Sequence, residues 1–266
     1  MSCTINFEAL YRKYNKKQYI HPDPLEFLFH YQCLCDREIV AMVASSLAYG
    51  NVKQILNSVS RVLEKLGPTP SQFLKQASRK TLCDTLKGFK HRFATGDQVA
   101  TLLMGLKRAI EIHGSLYSCF LNGFSSNDAT ILPALSRYIR VLTDEGRNDP
   151  GHLIPLPDRG SACKRLNLFL RWMVRKDEVD PGGWDAVPES KLIVPVDTHM
   201  HRICLEIGFT TRRQADMRTA LDITTAFKAI APEDPVRYDF SLTRLGIRKN
   251  IDIGHWITTA KSTDDC

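Results

Sequence analysis

Apolar residues recur at three- and four-residue steps along most of the chain. Val52, Ile55, Leu56, Val59, Val62, Leu63 and Leu66 form one stripe, and Val99, Leu102, Leu103, Leu106 and Ile110 a second. Leu132, Leu135, Tyr138, Ile139 and Leu142 form a third. Leu166, Phe169, Leu170 and Met173 form a fourth, and Met200, Ile203, Cys204 and Ile207 a fifth. An α-helical turn of about 3.6 residues gathers each set on one face, so each predicts an amphipathic helix. Helix breakers separate the stripes: Gly67-Pro68-Thr69-Pro70, Asn122 to Asp128, Gly146 to Gly151 and Asp180-Pro181-Gly182-Gly183. Glu38 to Ala48 predicts a further helix, closed by Tyr49-Gly50-Asn51 ahead of the Val52 stripe. Only Leu192-Ile193-Val194-Pro195-Val196 has strand character, and Pro195 argues against a central sheet position. There is no internal repeat and no low-complexity tract. The predicted fold class is all-α.

The stretch 149–197 is the least regular. It reads as a loop from Asp149 to Gly160, a helix from Ser161 to about Lys176, and a loop with two glycines and Trp184. A short extended run then leads to a helix beginning near Asp197. Asp197 stands just before an apolar stripe, where its carboxylate can accept from the exposed N–H groups of a first turn.

The 266 residues suffice for one large domain or two small ones with a shared core. With 43% hydrophobic and 24% charged residues, a packed globular chain is expected rather than a disordered one. No apolar run approaches the roughly 20 residues of a membrane span. Met1 to Glu8 lacks the basic stretch followed by an apolar one that marks a secretory leader. A cytoplasmic protein with no membrane partner is expected. Basic residues outnumber acidic ones 36 to 29, giving net +7, and such a surface favours phosphate polymers through counterion release. The cysteines fit no zinc or thioredoxin spacing, and reduced thiols are expected. Cys33 and Cys35 are too isolated to make a metal site, and no four-cysteine run near the C-terminus suggests an iron–sulfur cluster.

Chemistry enters at Val194-Pro195-Val196-Asp197-Thr198-His199-Met200-His201-Arg202-Ile203, with Gly208 and Phe209 beyond. This segment resembles the catalytic-aspartate segment of the helix-hairpin-helix DNA glycosylases, which include endonuclease III and the 8-oxoguanine glycosylases. Their shared pattern is an apolar residue, Pro or Ala, Val, Asp, a polar residue, then His and a helix. Ser161 to Arg175 is similar to a stretch typical of a bacterial family described only as a domain of unknown function, a resemblance that runs nearly end to end. In endonuclease III the catalytic lysine follows a Leu-Pro-Gly-Val-Gly hairpin. The nearest match here is Leu156-Pro157-Asp158-Arg159-Gly160, with Asp158 in place of the first hairpin glycine. Lys164 lies four residues past Gly160 and 33 before Asp197, an interval similar to that of the archaeal type of 8-oxoguanine glycosylase.

The resemblance implies a catalytic lysine at Lys164 and a catalytic carboxylate at Asp197, with Lys176 and Lys191 as alternative nucleophiles. It implies a two-lobed fold around an interlobe cleft, with residues 26–190 in one lobe and 1–25 joined with 191–266 in the other. The implied activity is excision of a damaged base from double-stranded DNA, an oxidised purine by the archaeal-type spacing, with Schiff-base AP lyase activity. No cofactor and no metal are implied, and a monomer is expected.

These residue types suit that reaction. Removing a base develops positive charge at the anomeric carbon, which a carboxylate stabilises while accepting the nucleophile's proton. A desolvated amine can attack as neutral nitrogen, and the base must first leave the stack. Trp184 and Trp172 are candidates for stacking on it, with His199 nearby. Arg165, Arg171 and Arg175 share a predicted helix with Lys164, with no acid from Ser161 to Lys176, which points to phosphate binding. Gly160 and Arg202 belong to the same expected DNA surface, which Arg212, Arg213, Arg218, Arg244, Arg248 and Lys249 extend. Tyr49 or Asn51, at the break after an early helix, is the expected side chain inserted into the stack. Two other readings compete. One is a non-catalytic DNA- or RNA-binding relative of the same fold. The other is a metal-dependent amidohydrolase using Asp197-Thr198-His199-Met200-His201, but on a helix His199 and His201 point about 200° apart.

Overall fold

The structure, a computed structural model, describes residues 6–247. Arg248 and Lys249 of the expected DNA surface lie outside the described residues, as do residues 1–5 and 248–266 of the expected second lobe.

Among the described residues the fold is mainly α. It begins with α1 (Phe7–Tyr14), α2 (Leu34–Ser46), α3 (Val52–Leu66), α4 (Pro70–Gln76) and α5 (Arg79–Thr85). A two-residue-per-strand hairpin follows, β1 (Lys90–His91) antiparallel to β2 (Ala94–Thr95). Then come α6 (Gly96–His113), α7 (Leu116–Asn122), α8 (Leu132–Leu142), α9 (Lys164–Val174), α10 (Thr198–Glu206), α11 (Met217–Ile230) and α12 (Asp239–Ile247).

Each apolar stripe forms a helix, and local chemistry sets most of the boundaries. Asn51 caps α3, accepting from the N–H groups of Lys53 and Gln54. Thr95 and Gln98 form a reciprocal capping box at the start of α6. Asp197 caps α10 and Asp216 caps α11. Two expectations shift. The helix predicted from Ser161 to Lys176 is shorter, because Cys163 takes a left-handed backbone at φ +48° and Arg175 is extended. Leu192–Val196 is buried, lies outside any helix and pairs with no strand among the described residues; Val194 N–H instead donates to Thr224 Oγ1 at 3.0 Å.

The core is one apolar cluster running through nearly all these helices. α2 lies against α9, and α12 lies against both α1 and α10. Phe7, Phe209, Phe227 and Tyr238 join α1 to the α10–α12 segment by ring contacts of 4.9 to 6.3 Å. These packings bring residues far apart in sequence to the starts of α9, α10 and α12, where the candidate site lies. No helix among the described residues is long and apolar enough to cross a membrane.

Candidate active site

Lys164 opens α9 and Asp197 caps α10. Asp197 Oδ1 accepts from the N–H groups of His199 and Met200, both at 2.9 Å. Asp197 Oδ2 faces Lys164 Nζ at 4.0 Å, with the two side chains 28% and 31% exposed. Lys164 Nζ also donates to the Ala48 carbonyl at 3.4 Å, just past the end of α2. The amine is therefore held by a main-chain oxygen on one side and has a carboxylate on the other. It remains open to solvent and to a ligand.

Lys164 and Asp197 stand between two depressions. The wider one, of about 630 Å³, is lined by Tyr49, Gly50, Cys163 and His199 as well as the pair. The tighter one, of about 150 Å³, adds Pro24, Leu168, Arg171, Asp239 and Phe240. Asp239 is buried at the start of α12, and its Oδ2 accepts from Arg171 Nη1. Burial pushes its carboxyl up to about 6; Arg171 opposes that rise and Asp197 adds to it. The sequence reading missed Asp239 and Phe240. Neither sits in a motif, and only the packing of α12 beside α10 brings them to the pair.

The remaining predicted residues divide. Arg171 and Arg175, expected on DNA phosphates, are 3% and 2% exposed. Arg171 binds Asp180 at 3.2 Å and also Asp239. Arg175 binds Asp177 and Asp234, each at 2.9 Å, and Asp180. Their guanidinium groups are engaged by carboxylates inside the protein, and Arg175 lines neither depression. Arg165 also turns inward. It donates to the carbonyls of Ser46, at 2.8 Å, and His152, and lies 5.0 Å over the Tyr49 ring. Burial pulls its guanidinium below its ordinary value.

Trp172 and Trp184, expected to stack on a base, are 0% exposed and line neither depression. Trp184 packs among Tyr117, Phe120, Tyr138 and Phe169. Its Nε1–H donates to Glu38 Oε1 at 2.9 Å. Glu38 also accepts from the N–H groups of Leu116 and Tyr117, and burial raises its carboxyl. This carboxylate, 146 residues away in sequence, draws the loop indole into the core.

Tyr49 lines the wider depression, but its hydroxyl bonds the His91 carbonyl at 3.0 Å and lies 2.8 Å from His152 Nε2. Asn51 is exposed and spent as the α3 cap. Gly160 ends the short turn Pro157–Arg159 at φ +75°. Its N–H bonds Pro157 O and its carbonyl accepts from Met217, each at 3.0 Å, so this hairpin faces α11 with its backbone groups used. Arg202 is exposed on α10, 3.8 Å from Glu206. Of the outer set, Arg213 and Arg218 are exposed, Arg212 pairs with Asp216 at 2.7 Å, and Arg244 is buried against Asp23. Lys191, an alternative nucleophile, donates to the carbonyls of Ser126 and Asp128. Lys176 is exposed and lines neither depression.

A family model described as "Protein of unknown function (DUF2400)" matches residues 23–248. The chain belongs to the DUF2400 family. No curated protein and no solved structure matches it. In this DUF2400 protein the metal-enzyme arrangement does not form, because His199 lines the wider depression while His201 turns away and bonds the Arg212 carbonyl at 2.8 Å. Among the described residues, Cys33, Cys35 and Asp36 gather three side chains of metal-ligating type. The two sulfurs are joined as a disulfide, which corrects the expectation of reduced thiols throughout.

Proposed function

We propose that this DUF2400 protein is a DNA glycosylase with lysine-dependent AP lyase activity. The observation that carries the reading is the Lys164–Asp197 pair. An amine stands 4.0 Å from a carboxylate oxygen that helix capping leaves unused, at a depression open to a large substrate. The motif around Asp197 supports the same assignment. We further read the protein as two helical lobes, residues 26–190 and 1–25 with 191–266, meeting at this depression.

The Lys164 Nζ lone pair forms a bond to the anomeric carbon as the glycosidic C–N bond breaks. That bond's electron pair leaves with the base, which takes up a proton. Asp197 Oδ2 stabilises the positive charge at the sugar and receives the proton that Nζ sheds. Ring opening gives a protonated Schiff base. Loss of the adjacent C2′ proton then expels the 3′ phosphate and cleaves the strand. The tighter depression is the place for the extruded base, with the Phe240 ring as an apolar wall and Asp239 as a hydrogen-bonding group on its edge. An oxidised purine remains the proposed substrate.

Borohydride trapping on duplexes carrying 8-oxoguanine, an oxidised pyrimidine, uracil or an abasic site tests this reading. The expected result is a covalent adduct on one damaged duplex that is absent in Lys164→Gln. Wild-type protein that forms no adduct and cleaves no duplex overturns the lyase assignment. Salt-sensitive DNA binding that survives in that case would favour the non-catalytic relative.

A further inference from the structure

The hairpin of β1 and β2 turns through Arg92 and Phe93. Phe93 is 73% exposed, while its strand neighbours His91 and Ala94 are buried. Arg92 holds a left-handed backbone at φ +52°, a conformation that costs a non-glycine residue energy. Its guanidinium lies 5.6 Å from the Phe93 ring centroid. Residues 86–96 carry Lys87, Lys90, His91 and Arg92 with no acid among them.

This tip stands beside the candidate site. A Cβ on Gly50 would come within 2.6 Å of the Arg92 guanidinium, and Gly50 lines the wider depression together with Lys164 and Asp197. The Phe93 ring meets His152 edge-on, 6.2 Å between centroids, and His152 bonds Tyr49 of the same depression. The hairpin base is fixed. The Tyr49 hydroxyl bonds the His91 carbonyl, and the His91 ring bonds Ser58 Oγ at 2.9 Å and the Tyr49 carbonyl at 3.2 Å. A rigid base thus presents one aromatic ring and one cation to solvent at the rim of the site.

We propose that Phe93 enters the DNA stack next to the nucleotide held at Lys164, with Arg92 on a neighbouring phosphate. The inference rests on the glycosylase reading of that site. It names the partner surface as a damaged duplex, whose gap beside an extruded or missing base takes an aromatic ring. Tyr49 and Asn51, the side chains expected from the motif to make this insertion, are committed elsewhere by their observed contacts.

Anisotropy titration of the full chain against an abasic-site duplex and an intact duplex of the same sequence tests this. Phe93→Ala should weaken binding to the abasic duplex roughly tenfold or more, the scale of one lost aromatic–base stack. Binding to the intact duplex should change little, and Phe93→Trp should restore the difference. Circular dichroism should show the same helix content in all three proteins, since the ring is exposed. Unchanged abasic-site binding by Phe93→Ala overturns the proposal. An equal loss on both duplexes overturns it too, because that marks a general backbone contact. Failure of the glycosylase reading shows separately: wild type then gives no borohydride adduct, whereas the binding comparison can still be read. Wild type that binds neither duplex at low salt overturns both.

Discussion

Asp197 divides its carboxylate between two tasks, and substitution separates them. One oxygen caps α10 and the other faces Lys164. Asn caps a helix about as well as Asp. Asp197→Asn is therefore expected to leave unfolding free energy within about 0.5 kcal/mol of wild type while slowing adduct formation by about 100-fold or more. Asp197→Ala should show the same kinetic loss and a further stability loss of about 1 kcal/mol. Chemical denaturation and single-turnover trapping on the same samples check both. Asp239 supplies a second prediction at this scale. Its carboxyl is raised from 3.8 to about 6 by burial. The folded protein therefore holds this proton to higher pH than the unfolded chain does. The stabilising contribution is complete below about pH 4 and is lost as pH rises through about 6. Urea unfolding between pH 4 and pH 7 should show wild type losing about 2 kcal/mol relative to Asp239→Asn. Parallel curves would rule out the shift.

At the scale of elements, α9 joins two functions on one helix. Its first residue faces the candidate site, and Arg171 together with the closing Arg175 anchors the helix to carboxylates from elsewhere in the chain. Tyr11 and Asn15 add bonds to Asp177 at 3.0 and 2.9 Å, which tie α1 and the residue after it to the same network. Removing one member of a buried charge network leaves its partners desolvated and unpaired. Arg175→Ala is therefore expected to cost about 3–5 kcal/mol of stability, measured by denaturant unfolding. A loss below about 1 kcal/mol, with weakened DNA binding, would restore the phosphate role that the sequence suggested. That suggestion came from the absence of acids between Ser161 and Lys176. Sequence neighbours were the wrong place to look: Asp177 and Asp180 lie just past the helix, and Asp234 and Asp239 arrive from the start of α12 and the turn before it.

For the molecule as a whole, the net charge of +7 does not say which basic residues face outward. Arg165, Arg171, Arg175 and Arg244 are all drawn inward. Arg202, Arg213, Arg218 and the Arg92–Phe93 hairpin remain at the surface. Local pattern was enough for the helical class, the apolar stripes, and Asp197 at the head of α10. Periodicity and capping act over one or two turns and are written in consecutive residues. The Lys164–Asp197 spacing was also legible, because a motif fixed one partner and the interval suggested the other. Tertiary structure alone decided the rest. It put Trp184 in the core, because Glu38 and four aromatic neighbours outcompete water for the indole. It brought Asp239 and Phe240 beside the lysine and raised Phe93 at the rim. Burial and charge pairing depend on which distant segments meet, and one chain's local sequence does not record those meetings.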